Sequence, residues 1–541
     1  MSVIKARHAR RPRLGVAAGL LVIAVAIGAG AGRFGPTSRA DGDPGRLTDA
    51  VWSASSEVPD PELSDATTAW ALDDRPRPPA GLDELAGGLA SVDLDLDGDL
   101  DLVVAQGSVD IYLWRTDGFA TPRSLGISRA TAVTAADVDR DGWPDLLVAR
   151  NGEYDAVIWG GEWIGTGSPP GEPTELAGTQ PSAGLIAAEL SSVGALEIVR
   201  LGRGAGAEAH DIVWTADPGE PRTFVPTPLG NGEGPTMAGE VADIDGDGLL
   251  DVWATRDVGW DLDPDSLYSR RGDPTGPWFD IAAELGADLA IDGMGVTIAD
   301  LDGDGSLDAY VSDLGDNEVL LRDGDQFVVA ADTGAARIRP PGTAMTIVSS
   351  SWASGATDVN LDGRLDLVVA NGGFASGKVR NKIPGTTVAL VDPPAVLVGI
   401  GGGRYVDVWP RIGLTWNSAS RGLTIADFDA DGDDDYVFLS VDGSLDALRN
   451  DAAGSSVTIA PGAGCHPVGA VVTVDQGSIS TRMLLGANTY NGAHSPAVVV
   501  GMLPTISDIT VVWPGGHLSR LSSQRTSGRI RLTADCADST D

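Results

Sequence analysis

The stretch GVTIADLDGDGSLDAYVSD, residues 295–313, decides the fold. Asp300, Asp302 and Asp304 stand at positions 1, 3 and 5 of a loop, so alternate side chains converge on one point. Gly305 at position 6 permits a sharp turn, position 7 offers a carbonyl, and Asp308 at position 9 closes the shell. These are hard oxygen donors in the number and spacing that calcium prefers. The first half matches an EF-hand, but an EF-hand needs Glu at position 12 and flanking helices. Here Val296-Thr297-Ile298 before the loop alternates as a strand does. Position 12 of the equivalent loops is Val104 or Ala254. The motif is read as a β-hairpin calcium loop.

It recurs along the chain. Copies are SVDLDLDGDLDLVVAQG from Ser91, AADVDRDGWPDLLVARNG from Ala135, VADIDGDGLLDVWA from Val241, ATDVNLDGRLDLVVANGG from Ala356 and GLTIADFDADGDDDYVFLS from Gly422. The metal-ligating candidates are therefore Asp93, Asp95, Asp97, Asp99 and Asp101; Asp137, Asp139, Asp141 and Asp145; Asp243, Asp245, Asp247 and Asp251; Asp300, Asp302, Asp304 and Asp308; Asp358, Asn360, Asp362 and Asp366; and Asp427, Asp429, Asp431 and Asp435. An eroded seventh copy, AAELSSVGALEIVRLG from Ala187, offers Glu189, Ser191, Val193 and Glu197. Val193 cannot ligate, so this copy is expected to hold no ion.

The seven starts fall at 93, 137, 189, 243, 300, 358 and 427. Each unit reads as strand, loop, strand, turn, strand. A unit of roughly 45–60 residues with three or four short strands has the size of a propeller blade. The expected fold is all-β: a seven-bladed β-propeller, favoured over an open solenoid or two smaller sheets because radial closure protects sheet edges. A second repeated element, Trp278-Phe279-Asp280-Ile281 and Tyr405-Val406-Asp407-Val408, stands about twenty residues before two of the loops.

The composition agrees. The formal net charge is −40, built from 62 Asp against 15 Glu and 34 Arg against 3 Lys. Such an excess of Asp belongs to turns and metal loops, where the short carboxylate reaches its own backbone or an ion. About six calcium ions are expected. Nucleic acid is excluded as a partner for want of a basic face. Cys465 and Cys536 are the only cysteines, with no CxxC pair. In an exported chain they are a disulfide candidate; the alternative is two separate buried thiols.

Lys5, Arg7, Arg10, Arg11 and Arg13 precede an uncharged stretch from Leu14 to Gly32. That pattern is a signal peptide or a single N-terminal membrane anchor, and it places the rest outside the cytoplasm. The expected organisation is targeting segment 1–32, linker 33–85, propeller 86–460 and a small antiparallel β-module at 461–536.

Over residues 85–455 these loops resemble FG-GAP or VCBS repeats, as in the integrin-like propeller of integrin alpha chains. The tail, with GCHPVGAVVTVDQGSISTRMLLGANTYNGAHSPAVVVGM and ITVVWPGGHLSRL, resembles the ASPIC/UnbV module of cartilage acidic protein and its bacterial relatives. The resemblance implies calcium-stabilised extracytoplasmic binding or adhesion, and names no ligand. An unknown extracellular protein or glycan is the expected partner, and the membrane is met only through the N-terminal segment. No HExxH, GxSxG or phosphate-cradling loop occurs, so no catalytic residue is assigned and no enzyme is expected. The alternative is a calcium-dependent polysaccharide lyase or sugar dehydratase built on a propeller. Arg271-Gly272-Asp273 is a triplet expected by chance at this composition and is assigned no function.

Overall fold

The computed structural model describes residues 58–73, 85–177, 181–191, 196–204, 210–217, 220–230, 234–259, 261–336, 347–374, 387–388, 391–503, 508–521 and 527–536. The targeting segment, most of the linker and Val193 lie outside them. All described residues belong to one compact unit, Gly45–Asp541. Among them no helix is long and apolar enough to cross a membrane.

The protein is all-β. Helices amount to single turns such as Ala282–Leu285 and Trp409–Ile412. Each motif copy lies between the first and second strands of an antiparallel sheet. The first strands of sheets one to seven are Gly88–Val92, Ala130–Ala136, Ser182–Ala188, Thr236–Ala242, Gly293–Ala299, Ser351–Thr357 and Ser420–Ala426. Second and third strands follow in sequence order, and each sheet is open, none closing on itself. The second repeated element supplies fourth strands: Phe279–Asp280 in sheet four and Tyr405–Asp407 in sheet six. Sheet seven takes its fourth strand from the linker, where Leu63–Asp65 pairs with Leu448–Asn450.

First and second strands are buried on both faces, and second strands such as Asp366–Asn371 accordingly carry apolar runs. Neighbouring first strands pack side by side in order from sheet one to sheet seven, and the last lies against the first. The core therefore sits between sheets. Leu102 and Val104 of sheet one meet Val437 and Leu439 of sheet seven, as Val103 meets Val133 and Val148 of sheet two. Six of the seven first strands carry a bulge within their opening residues. A bulge bends a strand and raises its twist.

The tail from 461 is woven into this framework. Ser480–Leu484, Val471–Asp475, Asp508–Val512 and Leu518–Leu521 extend sheet five to eight strands, and Asn488–Thr489 with Gly492–Ala493 extend sheet one to six. Ser456–Pro461, Val498–Gly501 and Arg529–Ala534 form a separate three-stranded sheet. Cys465 and Cys536 are joined by a disulfide, with Cα atoms 5.6 Å apart and a sequence separation of 71. Closing a loop of that length restricts the unfolded chain. Replacing both cysteines with alanine is expected to lower unfolding free energy by about 2–5 kcal/mol, read from urea denaturation.

Candidate metal centre

The six loops share one local geometry. Position 4 is left-handed in all of them: Leu96, Arg140, Gly246, Gly303, Leu361 and Ala430 have φ between 54° and 82°. The position-1 carboxylate accepts the N–H of the position-6 glycine in every loop, as in Gly305 to Asp300 Oδ2 at 2.9 Å. The position-5 carboxylate accepts the N–H of position 7, as in Ser306 to Asp304 at 2.7 Å. These Asx turns are why Asp outnumbers Glu: only the shorter chain reaches.

The structure adds a role for position 9. One oxygen of each of these aspartates accepts the N–H of position 2, as in Leu94 to Asp101 at 2.9 Å. In five loops the other oxygen accepts an N–H at the third strand, from Trp114, Gly160, Arg322, Gly399 or Asn450. This carboxylate stitches loop to sheet.

Asp93, Asp95 and Asp101 bring carboxylate oxygens within 4.8 Å of one another. So do Asp137, Asp139 and Asp145; Asp243, Asp245 and Asp251; Asp300, Asp302 and Asp304; and Asp427, Asp429 and Asp435. Asp97, Asp99, Asp141, Asp247, Asp308 and Asp431 stand beside these triads. The loop at Asp358, with Asn360 at position 3, forms no such triad among the described residues. There Asp358 Oδ2 instead accepts the N–H of Gly363 and, at 2.7 Å, that of Gly501 in the tail.

The triads fit a cation on two observations. Asp95 Oδ1, Asp137 Oδ1, Asp251 Oδ1 and Asp429 Oδ1 are buried with no hydrogen-bond partner. Burial, aided by the like charges of neighbouring carboxylates, also pushes the carboxyls upward. Asp101, Asp145, Asp251 and Asp308 rise to about 7, and Asp300 and Asp427 to about 6. Such oxygens need a proton, a basic side chain or a metal ion.

Arginine answers part of this need. Arg115 pairs with Asp95 at 2.5 Å and Asp97 at 2.9 Å. Arg222 of sheet three reaches Asp139 of sheet two at 2.5 Å. Arg449 lies 3.9 Å from Asp429, and Arg529 of the tail binds Asp431 and Asp433. Among the described residues no basic side chain pairs with the triads at Asp243 and Asp300. The eroded copy goes furthest: Glu189 pairs with Arg140, and Glu197 lies 3.7 Å from Arg270. It forms no triad among the described residues.

A second set of buried carboxylates escaped sequence reading. Asp155 accepts N–H from Arg150 and pairs with Arg200 at 3.1 Å and Ser182 at 2.5 Å. Asp211 repeats this with Gly202, Arg256 and Thr236. Each ties one sheet to the first strand of the next. An Asp at the start of the third strand, first in it at Asp155 and just before it at Asp211, is the signal, but its distance from the loop varies.

Residues 93–148 and 243–311 match the family model of the FG-GAP-like repeat. The chain carries FG-GAP-like repeats. The repeats at Asp243 and Asp300, whose triads lack arginine, fall inside the second matched stretch. A search among curated proteins gave no match. Solved structures gave distant ones. BBS1N in its complex with ARL6DN is 13% identical over 70% of this chain and 98% of its own, with a TM-score of 0.40. An Agrocybe aegerita lectin recognising non-reducing terminal N-acetylglucosamine is 17% identical over 72% and 93%, TM-score 0.36. The exotype rhamnogalacturonan lyase YesX is 14% identical over 67% and 61%, TM-score 0.36.

The raised carboxyls fix a sign. Unfolded aspartate loses its proton near pH 3.9, whereas the buried position-9 groups hold theirs to about 7. Their contribution to the stability of metal-free protein is full below pH 4 and is lost as pH rises through 7. Calcium competes with those protons. The gain in Tm on adding calcium to chelated protein should therefore be larger at pH 8 than at pH 5, by differential scanning calorimetry; an equal gain contradicts this. Asp300→Asn is expected to remove one bound calcium per chain, measured by equilibrium dialysis.

Proposed function

We propose that the chain is a seven-bladed propeller, stabilised by calcium in its Asp loops, that works outside the cytoplasm as a binding protein for a protein or glycan. The buried carboxylate oxygens without partners carry this reading. In the loops at 243 and 300, Asp243, Asp245 and Asp251, and Asp300, Asp302 and Asp304, would hold the ion, with carbonyl and water oxygens completing the shell. Calcium there supplies rigidity: binding to the folded state alone adds to its stability. The succession of first strands, with the seventh against the first, supports closure into a ring. The strand at Leu63–Asp65 supports it too, because it lets the start of the described chain complete the last blade.

The lyase alternative asks for a basic side chain facing a metal-bound carboxylate across an open cleft. Arg115 and Arg222 instead bind loop carboxylates directly. The centre among the first strands is filled by tail residues 488–495, and a cavity of about 250 Å³ beside Arg123 and Ile164 has no carboxylate among its lining residues. Binding on the outer surface is the reading these features favour. A chelator should lower Tm markedly at near-neutral pH, and calcium should restore it. A glycan and protein array probed with and without calcium is expected to give calcium-dependent hits; turnover of an acidic polysaccharide, seen as unsaturated product by ultraviolet absorbance, would reverse the choice.

A further inference from the structure

Residues 486–495, GANTYNGAHS, carry no formal charge and turn back on themselves, with His494 N–H bound to Ala487 O at 2.9 Å. They lie among the first strands of six sheets. Asn488 donates its backbone N–H to Glu240 Oε2 at 2.8 Å and its side-chain amide to Glu240 Oε1 at 3.0 Å. Thr489 exchanges hydrogen bonds with the N–H and carbonyl of Ser354. Val133 N–H donates to Asn491 O, and Ala493 pairs in parallel with Ala90. Ile425 N–H donates to His494 Nδ1, and Ser495 N–H returns to Ile425 O. The strand Asn488–Thr489 also packs on the first strand of sheet five. The fit is close: a Cβ on Gly492 would stand 2.0 Å from Leu89 O.

Glu240 is fully buried on the first strand of sheet four. Its partners are amides: Val241 N–H and the two donors of Asn488. No arginine or lysine pairs with it among the described residues. A buried carboxylate that loses such donors is strongly disfavoured, so it selects the segment that supplies them.

We propose that residues 486–495 are a plug that the chain supplies to its own axial channel, held by Glu240 and Asn488 and able to open locally while the sheets stay folded. The plug rests on the ring arrangement proposed above and on neither calcium nor a ligand.

The test uses the full chain carrying Ser354→Cys. Both native cysteines are in the disulfide, so the new thiol is the one free sulfur among the described residues. Maleimide labelling in native buffer is expected to be at least about 100-fold slower than in urea, because reaction waits on local opening. Adding Asn488→Asp sets two carboxylates together and should speed labelling at least about tenfold, with the circular dichroism unchanged. Glu240→Gln on top should restore protection, as a coupled pair requires. If Asn488→Asp does not fold, Thr489→Ala is expected to speed labelling in the same direction. Labelling at the unfolded rate in the parent, no acceleration in either variant, or acceleration that Glu240→Gln fails to reverse would each overturn the plug. Every one of those results leaves calcium binding and external recognition untouched.

Discussion

Carboxylates crowded in a small, half-buried volume must be neutralised, and the rest of the structure depends on how each repeat does this. A nine-residue loop that closes a β-hairpin with three or four aspartates gains Asx turns and a stitch to the third strand. It then holds like charges within a few ångström of each other and away from water, which is costly unless compensated. The repeats meet that demand in different ways. The carboxylate triads at Asp243 and Asp300 pair with no basic side chain among the described residues and ask most clearly for a cation, while Arg482 donates to the Gly305 carbonyl of the latter loop. The loops at Asp93, Asp137 and Asp427 have arginines on part of the carboxylate set. The copy at Glu189 sets Arg140 and Arg270 beside its two carboxylates. One sheet geometry thus tolerates a guanidinium as counter-charge at some copies and leaves the triads of others without one among the described residues.

The tail takes part in the same economy of charge. Arg529 binds Asp431 and Asp433, and Gly501 N–H binds Asp358. Arg482 O accepts the N–H of Asp300 at 2.9 Å. The segment from 461 therefore lies against the loops at 300, 358 and 427 while its hairpin enters the centre of the first strands.

Much of this was legible in the sequence because the loops are local. Six copies with fixed spacing announce hairpins, and the strands beside them, such as Leu367-Val368-Val369, are apolar runs because both faces are buried. The fourth strands at Phe279 and Tyr405 were visible as a second repeat. Less local features were not. Asp155 and Asp211 stand ten and fourteen residues beyond position 9 of their units, so no fixed spacing marks them. The tail's strands alternate in the ordinary way and carry no mark of the sheets they join. Nothing in GANTYNGAHS points to Glu240, 248 residues away. Hydrogen bonds between neutral amides and a lone carboxylate leave no periodic trace.

The central claim is that the loops are completed by metal. Its most direct test is the number of calcium ions bound by the full chain at near-neutral pH, measured by native mass spectrometry after dialysis against calcium. Ions at the five triads, or at all six loops, are the predicted result. A chain that binds none and melts at the same temperature in chelator would contradict the account.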